Sequence, residues 1–335
     1  MNEDYQSSPR GNFSGICHRV LIKLSVKNVN MARILVTGGA GFIGSTIAAM
    51  LVSQGEDITV LDNMSLGKEY ELNDVKDKIR LVAGDIANPE DVEKAFKDVS
   101  QVYHLASASS APMYEPDPRK ATYITVNGFL NVLEAARKHD IENIVFASSS
   151  SVYGTNPAPH SEEQKITPIS FYAAAKMAKE EYAQAYHSTY GMNIAAMRFF
   201  SVYGERERHK GRYANVITQF LWQMKHGEPP VIYGDGSQTR DYIYAEDVAR
   251  CCIIAMKKKA NGVFNVGTGK AYSFNQIIDI LNKQLGTNIK PTYIKNPISN
   301  YVTHTLADMR KTEKELGFRA KYSLEEGIQR LVKFY

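Results

Sequence analysis

A tyrosine and a lysine four residues apart, Tyr172 and Lys176, are a pair that could do chemistry. On a helix, residues i and i+4 lie on the same face, so the lysine ammonium could loosen the phenolic proton. The spacing alone is common on exposed helices, where it has no catalytic meaning. Among the 20 tyrosines of the chain, Tyr172 is the only one with a lysine four residues on. The catalytic interpretation needs support from elsewhere in the sequence.

The stretch ILVTGGAGFIGSTIAAMLVSQG supplies such support, because it predicts a buried strand, a glycine-rich turn and an amphipathic helix. A second strand, ITVLD at 58–62, ends in aspartate, and this order of elements is typical of a dinucleotide site. Gly38, Gly41 and Gly44 are predicted to make the tight turn, the approach to pyrophosphate and the helix–strand packing. Asp62 would bind both ribose hydroxyls and repel a 2′-phosphate. We therefore predict NAD rather than NADP.

Strands and helices continue to alternate after this unit. The predicted strands are 79–86, 101–106 and 143–150, with a helix from Pro89 and a long helix from about 119 to 139. This order predicts an α/β fold with a doubly wound parallel sheet. Polar residues follow the strands at their carboxyl ends, where a cofactor binds in such sheets: Asp85, Ser107 to Ser109, and Ser148 to Ser151.

Composition excludes several classes of protein. A formal net charge of +4 over 335 residues does not indicate a nucleic-acid-binding protein. Three cysteines cannot form a disulfide framework, and adjacent Cys251 and Cys252 are predicted to be buried helix residues rather than metal ligands. No metal site is predicted. No apolar run approaches the roughly 18 residues of a membrane span, so we expect a cytoplasmic protein.

Together these motifs resemble the extended branch of the short-chain dehydrogenase/reductase family, and within it the UDP-galactose/UDP-glucose 4-epimerases. The matching stretches run in family order from residue 31 to about 270: TGGAGFIGS, LDNMSLG, GDI, HLAS, VNG, FASSSSVYG, YAAAK, RFFSVYGER and GDGSQTRDYIYAEDVA. The resemblance implies an acid–base set of Ser149, Tyr172 and Lys176. A one-place slip to a neighbouring serine is the alternative for Ser149.

The resemblance also implies how the tyrosine works. An unperturbed phenol has a pKa of about 10, so its anion is scarce at neutral pH. The Lys176 ammonium and the positive nicotinamide are expected to bring the pKa of Tyr172 toward the working pH, and Lys176 would also hold the nicotinamide ribose. The implied cofactor is NAD, bound by Gly38, Gly41, Phe42, Ile43, Gly44, Asp62, Asn63, Ser65, Gly67, Asp85, Ile86, Leu105, Ala106, Ser107, Asn127, Ser149, Tyr172, Lys176 and Phe200.

The serine-rich loop narrows the reaction. Nucleotide-sugar dehydratases of the family carry Thr-Asp-Glu where this chain has Ser149, Ser150 and Ser151, and related decarboxylases keep a glutamate at the last position. A hydroxyl cannot replace an ionisable carboxyl in those steps, so oxidation and re-reduction at C4 of a nucleotide sugar is the predicted reaction. The alternatives are dehydratase, decarboxylase or reductase chemistry, or an NAD-binding relative without turnover.

Three regions follow from the resemblance. Residues 31–200 would form the NAD-binding Rossmann domain, with contributions from later segments, and 201–335 a smaller α/β lobe for the nucleotide sugar. MARILVTGG at Met31 resembles a second start, so 1–30 are expected to be an N-terminal extension. A homodimer is expected through the helices near 119–139 and 171–190.

The residues implied to contact substrate are Ser149, Tyr172, Ser201, Tyr233, Arg240 and Thr305. Arg240 would bind the diphosphate and Tyr233 would pack near uracil, while Ser201 stands where many members have asparagine. For these three, a purely structural role is the alternative. A second diphosphate arginine, present in many epimerases, is missing before Asp308. Thr305 corresponds to a gate where a bulky residue excludes N-acetylated sugars.

Overall fold

The computed structural model describes residues 33–298 and 301–335, so the predicted N-terminal extension lies outside the described residues. The strands are β1 Arg33–Thr37, β2 Ile58–Asp62, β3 Ile79–Ala83, β4 Val99–His104, β5 Asn143–Ser149, β6 Asn193–Phe199, β7 Ser201–Tyr203, β8 Val231–Tyr233, β9 Thr239–Tyr244, β10 Gly262–Val266, β11 Ala271–Ser273 and β12 Thr292–Ile294. The α-helices are α1 Phe42–Ser53, α2 Pro89–Ala95, α3 Pro118–Thr122, α4 Gly128–Lys138, α5 Phe171–Tyr190, α6 Val216–Lys225, α7 Ala245–Lys257, α8 Phe274–Leu285, α9 Arg310–Leu316 and α10 Leu324–Phe334.

A seven-stranded sheet in the order β10-β6-β5-β4-β1-β2-β3 forms the centre of the fold. Every neighbouring pair in it is parallel. The predicted doubly wound α/β fold is therefore confirmed. The strand order reverses between β1 and β4, and in such sheets ligands bind at this point, outside the carboxyl ends of the strands.

Both faces of the sheet are buried along its central strands, as a parallel sheet requires, while Leu81 of the edge strand β3 is exposed. Ile34 and Val36 of β1 pack with α1 and α7 on one face. Leu35, between them, points to the opposite face and joins the core formed with α2, α4 and α5. Each such side chain stabilises the fold by about 1.5–3 kcal/mol. The two cores fix the strand ends on which the candidate site is built.

The predicted long helix from 119 to 139 is confirmed, because helical backbone runs without a break from Pro118 to Lys138. The structure has the short α3, a π-helical turn over Tyr123–Asn127 and then α4. The helix begins where the sequence predicts. The Asp117 carboxylate caps it by accepting from the Lys120 N–H at 3.0 Å, and Pro118 is its first residue. Gly128 lies directly on Ile86, where an added Cβ would come within 2.6 Å of the isoleucine side chain. This tertiary contact has no counterpart in the helical pattern of the sequence.

The later part of the chain adds a smaller α/β layer. A three-stranded sheet, β11-β9-β7, and a two-stranded sheet, β12-β8, pack with α6, α8 and α10 around a separate core. One strand of this part, β10, joins the large sheet beside β6. The division of the chain at residue 200 stays a prediction. Among the residues that the structure describes, no helix has the length and apolar character needed to cross a membrane.

Candidate active site

A cavity of about 660 Å³ opens at the carboxyl ends of the central strands. It is lined by the glycine turn, by the ends of β2 and β5 and by the first turns of α5. All of the predicted cofactor residues line it except Asn127, which is exposed in the π-helical turn. Asn127 stays a prediction, whereas the other residues are brought together by the fold.

The glycine turn is packed too closely for side chains. Gly38 has a φ of +68°, and an added Cβ would lie 2.6 Å from the Ala106 backbone nitrogen. A Cβ on Gly44 would lie 2.0 Å from the Gly38 carbonyl oxygen, so the helix can approach the turn only because this residue is glycine. Gly41 caps α1 without a side chain, so the first N–H groups of the helix can bind an anion. The turn therefore fits a pyrophosphate.

Asp62 ends β2 at the rim of this cavity and is buried. Its carboxylate accepts from the Ala40 N–H at 3.0 Å and from the Met64 N–H at 2.9 Å. Burial raises the pKa of Asp62, and these two backbone hydrogen bonds oppose that shift. Each carboxylate oxygen retains a lone pair that can accept from a ribose hydroxyl. The donor and acceptor chemistry of the site thus fits the adenosine ribose of NAD.

Tyr172, Lys176 and Ser149 meet at the other end of the cavity. Helix α5 begins one residue before Tyr172, and Ser170 caps it by accepting from the Ala173 N–H at 3.2 Å. The Lys176 ammonium donates to Ser107 Oγ and to the Ala147 carbonyl, both at 3.1 Å. Its Nζ lies 5.6 Å from the centroid of the Tyr172 ring. The lysine is thus held against β5 with the phenol beside it.

Burial dominates the electrostatics of this set. It raises the pKa of Tyr172, and a hydrogen bond with Ser149 lowers that pKa only in part. It also lowers the pKa of Lys176 to about 8, against the nearby Glu180 carboxylate, which raises it. The expected lowering of the phenol pKa is therefore not supplied by the protein groups alone. A further positive charge in the cavity would act in the required direction.

Residues 34–267 match the NAD-dependent epimerase/dehydratase family. The chain belongs to this family. It is 40% identical over 310 residues, 90% of this chain and 97% of the relative, to a protein of Methanocaldococcus jannaschii provisionally named a UDP-glucose 4-epimerase. It is 33% identical, over 91% of this chain and 96% of the relative, to the UDP-glucuronate 4-epimerase of Thermodesulfobacterium geofontis.

The fold of this chain also matches a solved structure of a 4-epimerase. The UDP-N-acetylglucosamine 4-epimerase from Methanobrevibacter ruminantium M1, in complex with UDP-N-acetylmuramic acid, superposes with a TM-score of 0.86. It is 34% identical, and the match covers 90% of this chain and 97% of that one. The predicted resemblance to the extended short-chain dehydrogenases is confirmed, and NAD is the cofactor of the family.

The sequence patterns did not predict two residues that line the cavity near Asp62, His209 and Lys210. Lys210 donates to the buried Glu207 at 2.8 Å, and its ammonium lies 5.0 Å from the centroid of the Phe42 ring beside the glycine turn. The His209 ring contacts Glu71 at 3.2 Å. The charge-rich run ERERHKGR was the available signal, but such runs usually mark a solvated surface.

The remaining predicted substrate residues are not among those that line the cavity. The Arg240 guanidinium donates to the carbonyls of Val302 at 2.6 Å and Thr303 at 2.9 Å, so it holds the segment that leads to Thr305. The Thr305 N–H donates to the Thr239 carbonyl at 3.1 Å. Ser201 lies on β7, and Tyr233, on β8, is 38% exposed. The roles of Ser201, Tyr233, Arg240 and Thr305 toward substrate stay predictions.

Proposed function

We propose that this protein is an NAD-dependent 4-epimerase of a nucleotide diphosphate hexose, acting on UDP-glucose and UDP-galactose and also on N-acetylated UDP-hexosamines. The observation that carries the proposal is the meeting of Ser149, Tyr172 and Lys176 in the cavity that contains the glycine turn. One cavity thus holds an acid–base set and a dinucleotide site, as reversible oxidation of a bound sugar requires.

Ser149, Tyr172 and Lys176 each have a separate role in the proposed reaction. The Ser149 hydroxyl hydrogen-bonds the C4 hydroxyl oxygen of the sugar, and the Tyr172 phenolate takes the proton of that hydroxyl and later gives it back. Lys176 favours the phenolate by its charge. Bound NAD would supply reversible hydride exchange with C4, and its oxidised form a positive charge that adds to that of Lys176. The net reaction inverts C4 and leaves NAD unchanged.

Ser150 and Ser151 support epimerisation over elimination. They occupy the positions at which the dehydratases carry acids, and the Ser151 N–H donates to Ser149 Oγ at 3.1 Å. This contact orients the catalytic hydroxyl, and neither serine can shuttle a proton as a carboxyl would. The dehydratase, decarboxylase and reductase alternatives, and an NAD-binding protein without turnover, remain the competing hypotheses.

The choice of a UDP-hexose is supported by the relatives, which are named as UDP-glucose, UDP-glucuronate and UDP-N-acetylglucosamine 4-epimerases. These names share the nucleotide and the reacting carbon but differ at C2 and C6 of the sugar. For the C2 group, the small Thr305 is the residue that we propose as the gate. The roles of Arg240 at the diphosphate and Tyr233 at the uracil belong to the same proposal.

One experiment tests the reaction type. The purified protein is incubated, without added NAD, with a panel of UDP-, dTDP- and GDP-hexoses, and the sugars are analysed by chromatography. We expect C4 epimers of the UDP-hexoses, with NAD released from the protein on denaturation. Accumulating NADH with an oxidised sugar would make the protein a dehydrogenase. A 4-keto-6-deoxy product would make it a dehydratase, and retained NAD without any product would favour the non-catalytic alternative.

We also propose a homodimer formed through α5 and the helices around residues 118–138. Phe171 and Tyr182 are 65% and 42% exposed and lie eleven residues apart on α5, about three turns, on the same face. Tyr123 on the neighbouring segment is 53% exposed. Large apolar side chains on one face favour a second copy of this chain as the partner.

A further inference from the structure

A buried ion pair lies directly behind the acid–base set. The Arg198 guanidinium of β6 donates to the Glu180 carboxylate of α5 through Nε at 3.0 Å and Nη2 at 2.7 Å. The Ser148 hydroxyl of β5 donates to the same carboxylate. Both charged side chains are less than a tenth exposed. One carboxylate therefore joins three elements that border the site.

The ion pair lies next to two residues of the proposed mechanism, Lys176 and Ser149. Glu180 lies one helical turn after Lys176 on α5, and Ser148 directly precedes Ser149 at the end of β5. Burying two charges carries a desolvation cost that their attraction often does not repay, and apolar side chains of similar size often serve stability as well. A contribution to stability alone therefore does not account for this pair, which adjoins Lys176 and the strand end that carries Ser149.

The charges around Lys176 show what Glu180 contributes. The titratable neighbours of the Lys176 ammonium are Tyr172, Lys179 and Glu180 on α5 and His104 on β4, and Arg198 of β6 lies behind Glu180. Two uncharged groups, the Ser107 hydroxyl and the Ala147 carbonyl, accept hydrogen bonds from the ammonium. Burial lowers the pKa of both Lys179 and His104 well below their ordinary values, which favours their neutral forms. Glu180 is thus the negative group in this set, and it opposes the effect of burial on the pKa of Lys176.

We propose that Glu180 is a positioning residue of this site: its carboxylate, fixed by Arg198, keeps Lys176 cationic and, through Ser148, orients the strand end that carries Ser149. The inference rests on the proposed function, because it assigns Glu180 a role through Lys176 and Ser149. Glu180 does not contact the cavity itself, so it acts through these neighbours and not on the substrate.

The test compares Glu180→Gln with Glu181→Gln, an exposed residue next on the same helix. The substitution keeps the size and one acceptor oxygen, replaces the other oxygen with an amide nitrogen, and removes the charge. We expect the alkaline fall of kcat to begin about one pH unit lower in E180Q than in the wild type, with a threefold to tenfold lower kcat near pH 8. E181Q should follow the wild-type profile. An E180Q profile that coincides with the wild-type profile would overturn the proposal.

A second readout separates this inference from the proposed reaction. NAD affinity of the apoprotein, measured by fluorescence across the same pH range, also depends on the Lys176 charge, and its alkaline fall should shift with E180Q even if no sugar is epimerised. An active enzyme with unshifted profiles in both readouts contradicts the role of Glu180. Shifted NAD affinity in an inactive protein contradicts the proposed reaction and supports the role of Glu180.

Because E180Q leaves Arg198 buried without a carboxylate, it could fail to fold. The double variant Glu180→Gln with Arg198→Gln leaves no unpaired charge and provides a second form of the test. We expect its alkaline limb to shift in the same direction by a smaller amount, since the nearer of the two charges dominates at Lys176. A double variant whose limb moves to higher pH, or does not move, would overturn the proposal.

Discussion

Lys176 and Lys179, on the same face of α5, donate to the same acceptor, the carbonyl oxygen of Ala147, at 3.1 and 3.5 Å. The Lys179 side chain is fully buried, and its Nζ lies 4.8 Å from the Phe129 ring centroid and 5.0 Å from that of Phe146. Burial and the neighbouring Lys176 lower the pKa of Lys179 well below its ordinary value of 10.5. The pair therefore divides into a cationic Lys176 and a Lys179 whose neutral form is favoured.

Replacing Lys179 with methionine should stabilise the protein at neutral pH. A lysine with a lower pKa in the folded state takes up a proton on unfolding, so wild-type stability rises with pH up to 10.5, by at most about 1.4 kcal/mol per pH unit. Lys179→Met removes this dependence. We expect a higher free energy of unfolding at pH 7, measured by urea denaturation, with an advantage that shrinks toward pH 10.

The control for this substitution is Lys283→Met, at an exposed lysine of α8, which should leave both the stability and its pH dependence nearly unchanged. A Lys179→Met protein that is less stable than the wild type at every pH would mean that the Ala147 contact outweighs the cost of burying the amine.

Tyr172→Phe should remove the proposed base while leaving the fold intact. The phenylalanine fills the same space, since the Tyr172 side chain packs on Ala175 and edge-on to Tyr114 with centroids 5.8 Å apart. We expect kcat to fall by about 10²–10⁴-fold while the protein still retains NAD through the other cofactor residues. Tyr182→Phe, at an exposed position of the same helix, should be fully active. Wild-type turnover in Tyr172→Phe would require a different base.

Asp62→Asn should weaken the discrimination between NAD and NADP. The amide keeps one of the two oxygens that accept from the Ala40 and Met64 N–H groups, and it loses the negative charge that would bond the ribose and repel a 2′-phosphate. We expect the affinity for NAD to drop by about tenfold while that for NADP is maintained or rises. Calorimetric titration of the apoprotein with each cofactor measures the ratio, with the exposed Asp77→Asn as the control. An unchanged ratio would exclude Asp62 from the ribose site.

A charge on the exposed face of α5 should separate the proposed dimer. Phe171→Glu combined with Tyr182→Glu places two carboxylates in an apolar interface, where burying them is costly. We expect the wild type to sediment as a dimer at micromolar concentration and the double variant as a monomer. Tyr293→Glu, 49% exposed on β12, should leave the dimer intact. A monomeric wild type with full activity would contradict the proposal.

Thr305→Tyr should narrow the sugar specificity. The larger side chain would fill the space that an N-acetyl group at C2 needs, and pockets reject added bulk mainly by steric overlap. We expect a fall in kcat/KM for UDP-N-acetylglucosamine of about tenfold or more, with the UDP-galactose reaction nearly unchanged. Equal slowing of both sugars, or a wild type that ignores N-acetylated sugars, would exclude Thr305 as the gate.

The sequence by itself determined the fold class and most of the cavity. The glycine turn and the strand that ends in Asp62 have local signatures, since their spacing follows from the geometry of one strand–turn–helix unit. Ser149 and Tyr172 could be placed at the same edge because the carboxyl ends of parallel strands, and the helices that follow them, meet there. These inferences need only the direction of the chain through successive elements.

The tertiary structure decided what lies behind and around that cavity. Helical periodicity places Lys179 and Glu180 on α5, but only the packing of Phe129 and Phe146 makes Lys179 a buried amine, and only β6 brings Arg198 to Glu180. Likewise, Arg240 fits the motif of a diphosphate ligand, yet its guanidinium donates to carbonyls of the segment before Thr305. The burial of a side chain and its hydrogen-bond partners depend on residues far apart in the sequence, so the local sequence pattern does not predict them.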